Sequence, residues 1–143
     1  MSTPLAQEAE VMRLSRLCGM IENEAIVSWC DEKIGEGFVE DELMDISTNP
    51  LSTAEYLSKL RGLAKGADSF AAVRVICSKV HERLQNDASQ SGALAGALYQ
   101  VVVENDGKMP PDLSFLKTAS EDVSAGEAGV KQFMESLAQA GKV

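Results

Sequence analysis

The sequence predicts an all-α protein, folded as a compact single-domain array of seven or eight short helices. Three observations carry that expectation. Apolar residues recur at helical spacing almost from end to end. Hydroxyl or amide residues precede most of these runs and glycines follow them, which is how helices begin and stop. One stretch alone has strand character, the consecutive Val101, Val102 and Val103, and no second run of that kind exists to pair with it.

Taken in order, residues 4–18 place Leu5, Ala9, Met12, Leu14 and Leu17 on one broad face, with Glu8, Glu10, Arg13 and Arg16 outside it. Gly19 is the expected stop. A second helix is expected to be capped by Asn23 and to bury Ile26, Val27, Trp29, Cys30 and Ile34 before Gly35 and Gly37 end it. Residues 38–48 set Val39, Leu43, Met44 and Ile46 against Glu40, Asp41, Glu42 and Asp45, a third helix that Asn49-Pro50 breaks.

Ser52, followed three residues later by Glu55, forms a capping-box pattern ahead of Tyr56, Leu57, Leu60 and Leu63. Gly66 closes that fourth helix. Asp68 or Ser69 caps a long fifth one, from Phe70 through Val73, Ile76, Cys77, Val80 and Leu84 toward Asn86. A polar connector over 87–92 leads to the most apolar segment, about 93–104. Asp112 caps a short helix through Leu113, Phe115 and Leu116, and a last helix from about Glu127 uses Val130, Phe133, Met134 and Leu137.

A chain of 143 residues is long enough to bury a core without disulfides or metals. At 45% hydrophobic and 24% charged it is too apolar for disorder, and its longest apolar run falls short of the roughly 20 residues a bilayer crossing needs. The opening residues lack both a positive charge and an apolar stretch, so no secretory signal is read and the cytoplasm is the default location. A net charge of −9 repels phosphate backbones, so neither nucleic acid nor membrane is an expected partner.

Chemistry-bearing motifs are scarce. Cys18, Cys30 and Cys77 are far apart and sit among apolar neighbours, which reads as three reduced core thiols. His81 is the single imidazole. Its i, i+4 spacing from Cys77 supplies two ligands where a metal needs three or four, and apolar surroundings suppress the thiolate a nucleophile requires. The glycines match no phosphate-binding loop. No catalytic residue, cofactor or metal is therefore expected.

Charge is the uneven feature. Residues 1–47 hold eleven acids against three bases, residues 48–86 three against six, and residues 87–143 eight against four. Asp31, Glu32, Glu36, Glu40, Asp41, Glu42 and Asp45 accompany one lysine, Lys33. Such a field steers a basic protein partner, with Trp29 or Phe38 as a rigid anchor. The leading expectation is a non-catalytic helical binding module, with immunity or antitoxin activity as its most concrete form. Its rivals are a small helical enzyme or ligand-binding domain with a pocket beside Tyr56, Tyr99 or His81, and a structural subunit that self-associates through an apolar helix face.

Overall fold

A computed structural model describes residues 3–142. Among these residues the protein is all-α. Its helices are α1 (Pro4–Leu17), α2 (Asn23–Gly35), α3 (Asp41–Thr48), α4 (Thr53–Leu63), α5 (Ser69–Asn86), α6 (Ser91–Glu104), α7 (Ala119–Ser124) and α8 (Glu127–Gly141), with 3-10 turns at Ala88–Gln90 and Pro111–Lys117. The chain divides into two compact units, the first ending at Ala72 and the second starting at Val73, within α5.

In the first unit α4 packs on α1 and α3, and α2 packs on α3. Leu5, Ala9, Ile26, Trp29, Cys30, Leu43, Ile46, Tyr56 and Leu60 form one buried cluster. Each fully buried aliphatic side chain contributes about 1.5–3 kcal/mol. The helix ends are closed by specific bonds. After α1, Gly19 adopts φ +72°, its N–H bonds the Arg16 carbonyl, and the Met20 N–H bonds the Ser15 carbonyl at 2.8 Å. This is a Schellman motif, which needs a left-handed residue and therefore favours glycine. At α4 both bonds of the capping box form, Glu55 N–H to Ser52 Oγ at 3.2 Å and Ser52 N–H to Glu55 Oε1 at 3.1 Å.

Two boundaries differ from the sequence reading. Asn23 does not cap α2 but lies inside it, because its side chain is engaged elsewhere: Oδ1 accepts from Arg16 Nε at 2.9 Å and its amide donates to Thr53 Oγ1 at 3.2 Å. That triad ties α1, α2 and α4 together. The third helix starts at Asp41 and not at Phe38, because Gly37 at φ +106° carries a second Schellman motif in which the Phe38 N–H bonds the Lys33 carbonyl. Phe38 belongs to the end of α2.

In the second unit α6 packs on α7, α7 on α8, and the 111–117 turn on both α6 and α8. The segment read as a short helix near Leu113 is this 3-10 turn, with Leu113 and Leu116 buried. Val101 and Val102 are buried within α6, so the valine run is helical. The Phe115 and Phe133 rings meet at 6.3 Å and a 53° tilt, within the favourable range for aromatic pairs. Gly129 lets α8 touch α7: a Cβ there would lie 1.6 Å from the Asp122 carbonyl oxygen.

Candidate functional site

The acidic segment occupies the end of α2, the turn after it and α3. Asp31, Glu32, Glu36, Glu40 and Asp41 are exposed, while Glu42 and Asp45 are half-buried. Their electrostatic situations differ. Glu40, Asp41 and Glu42 stand at the start of α3, where the unpaired N–H groups favour negative charge by about 0.3–1 kcal/mol each at low salt. Glu32 sits in the last turn of α2, against the negative end of that helix.

Lys33, the lysine within this segment, is buried and turned away from most of these acids. Its Nζ lies 2.9 Å from Glu8 Oε1 and 3.4 Å from Glu36 Oε1, and 6.0 Å from the centre of the Phe38 ring. The Schellman motif explains the last contact, because it brings the second residue past the helix end beside the third residue before it. The hydrogen bond to Glu8 holds the Lys33 ammonium above the ordinary lysine range. On α4, Lys59 pairs with Asp45 at 2.9 Å, and that bond raises its pKa likewise. Ser47 Oγ donates to Asp31. Glu32, Glu40 and Asp41 make no ion pair among the described residues.

Apolar side chains stand among these acids. Val39 is 80% exposed and Met44 is 43% exposed. With Glu40 as the cap of α3, they occupy the two positions of a hydrophobic staple, yet the exposure of Val39 shows that the staple is open. The corresponding pair at α4 is closed: Leu51 packs on the core and its N–H bonds the hydroxyl of buried Tyr56 at 3.4 Å. Phe38 is half-buried under Lys33, and Trp29 is buried with its Nε1 donating to Glu8 Oε1 at 3.4 Å. Of the two aromatics read as anchors, Trp29 is therefore a core residue.

The second unit carries a groove that the sequence did not announce. It measures about 710 Å³ and runs along α8, with Val123, Val130, Met134 and Ala138 as its apolar wall. His81, Ala88 and Ser89 also line it, and the exposed Glu127, Lys131 and Glu135 of α8 border it. Val130, Met134 and Ala138 are spaced four apart, a second apolar stripe beside the buried Phe133 and Leu137. That stripe is legible in retrospect. Of the residues considered for a pocket, His81 borders this groove, Tyr56 borders a smaller hollow of about 290 Å³, and Tyr99 is 43% exposed.

The three cysteines are buried. Burial pushes the Cys30 thiol up to about 12, with the nearby Asp31 charge adding to the effect. A thiol so poised stays protonated and is a poor nucleophile. Among the described residues no three His, Cys, Asp or Glu side chains converge to hold a metal, and no helix is long and apolar enough to cross a membrane. Compared with known proteins, the chain matches no family model, no curated protein and no solved structure.

Proposed function

We propose that this chain is a non-catalytic, cytoplasmic binding module that presents the acidic surface of residues 31–45 to a basic protein, with neutralisation of a toxin as the most concrete form of that role. One observation carries the reading. Val39, 80% exposed, and Met44, 43% exposed, lie in the same short segment as Glu32, Glu40 and Asp41, which have no ion-pair partner among the described residues. Protein interfaces combine an apolar centre with a charged rim, and the centre supplies most of the affinity. The rim accelerates encounter, and its effect fades with salt because the screening length is about 8 Å at physiological ionic strength.

The test compares the wild-type chain with two variants, using lysine- and arginine-rich amphipathic peptides and the product of the neighbouring gene as ligands. Conversion of Glu32 and Glu40 to Gln and of Asp41 to Asn lowers the association rate and its salt dependence. Val39→Ser raises the dissociation rate and leaves the salt dependence alone. Binding equal in all three proteins removes the reading.

A further inference from the structure

We propose that the groove along α8 receives the α8 helix of a second copy of this chain, in an antiparallel pair related by a two-fold axis. The charge pattern of the α8 residues that border the groove points to this occupant. Glu127, Lys131 and Glu135 are exposed and spaced four residues apart, close enough along one helix face to pair with one another. Among the described residues none of the three enters an ion pair. The stripe reads minus, plus, minus, and it sets opposite charges together when it is reversed and offset by four residues. With the two-fold axis passing near Phe133, Lys131 of each copy faces Glu135 of the other, so one contact is made twice.

The apolar stripe obeys the same symmetry. Antiparallel helices set each edge of an interface against the same edge of the partner, whereas parallel helices set opposite edges together. Only the antiparallel arrangement therefore joins Val130, Met134 and Ala138 to their own counterparts while the charged stripes meet each other. The pairing covers the half-exposed stripe in both copies.

Long-range charge favours this half of the molecule for self-contact. From Val73 onward the sequence holds seven Lys and Arg against nine Asp and Glu, a net −2, while the residues before it hold six against thirteen, a net −7. Two copies meeting through the second unit approach across nearly neutral surfaces, and two meeting through the first do not.

Sedimentation equilibrium with charge-reversed variants tests the pairing. The wild-type chain self-associates to a dimer as concentration rises. Lys131→Glu places carboxylates opposite each other and Glu135→Lys places ammonium groups opposite each other, so each variant alone weakens the dimer about tenfold. Mixing the two variants restores a heterodimer, because every facing pair is then opposite in charge. Met134→Lys, at a half-exposed position, abolishes association while circular dichroism stays native. A wild-type chain that remains monomeric to millimolar concentration overturns the proposal, as does a dimer indifferent to both reversals. Saturable uptake of a small apolar fluorophore by a monomer that never dimerises assigns the groove to a small ligand instead.

Discussion

Lys33 on α2 places its ammonium 2.9 Å from the Glu8 carboxylate on α1, so the lysine within the acidic segment is engaged by another helix of the first unit. The two partners are unequally covered: the Lys33 side chain is 10% exposed and that of Glu8 is 46% exposed. Losing the lysine leaves a carboxylate that water can solvate, while losing the carboxylate leaves a covered ammonium with Glu36 alone. Glu8→Gln therefore lowers the melting temperature more than Lys33→Met does, a ranking that thermal denaturation followed by circular dichroism reads directly.

Trp29 on α2 belongs to the buried cluster of the first unit, and its indole N–H is bonded to Glu8 on α1. Trp29→Ala costs about 3–5 kcal/mol in a denaturant titration, as truncation of a buried large aromatic does. Trp29→Phe keeps most of the apolar volume and loses the bond, so its cost includes only about 1 kcal/mol for that bond. A Trp29→Ala variant as stable as the wild type would move this residue from the core to the binding surface.

Two glycines in helices have opposite expected responses to alanine. At Gly62 on α4 a Cβ meets the flexible Glu42 carboxylate at 3.3 Å, which can swing aside, and the helix gains about 0.5–1 kcal/mol from reduced backbone freedom. At Gly129 the obstacle is the Asp122 main chain at 1.6 Å, so α8 must separate from α7 and the loss is about 3 kcal/mol or more. Equal effects at both sites would contradict the α7–α8 contact.

Stability depends on pH at both ends of the range. In the unfolded chain Cys30 ionises near 9, and in the folded protein near 12. Between those values the unfolded state has released a proton that the folded state retains, so stability falls as pH rises, by up to about 1.4 kcal/mol per pH unit. Cys30→Ala removes that component of the alkaline slope. On the acid side, two hydrogen bonds from Arg74, at 2.9 and 3.1 Å, hold the Asp112 carboxyl below the ordinary carboxylate range. The stabilisation is present above that range and lost as pH falls through the lowered value, so Asp112→Asn flattens the acid limb.

The acidic segment is uneven in its own energetics. Glu32→Gln removes a charge from the negative end of α2 and stabilises by a few tenths of a kcal/mol, whereas Asp41→Asn removes one from the positive end of α3 and destabilises by about 0.3–1 kcal/mol. Converting Asp45 also breaks its pair with Lys59. Neutralising Glu40, Asp41, Glu42 and Asp45 together therefore destabilises, because losing the favourable charge at the start of α3 and the Asp45–Lys59 pair outweighs the relief of like-charge repulsion. Chemical denaturation of the single and fourfold variants checks the order.

The helices were legible wherever local chemistry decides. Ser52 and Glu55 form both bonds of the capping box that their spacing implies, and Gly19 stops α1 as its freedom at positive φ suggests. What was not legible depends on neighbours distant in the chain. Asn23 has the side chain of a cap, but Arg16 and Thr53 engage it. α7 is six residues long with Ala119 as its buried residue, too short for an apolar period to show. The seven acids could be counted in the sequence, whereas the burial of Lys33, the open staple at Val39 and the groove along α8 arise only from packing.

Trp29 is the chain's single tryptophan, and it lies in the unit that ends at Ala72. Its emission is therefore a natural spectroscopic label for that half alone, while far-ultraviolet dichroism samples helices on both sides of the division. A melt followed by both signals needs no engineered probe to count transitions: superimposable curves report one cooperative unfolding event, and displaced curves report that the halves come apart in turn.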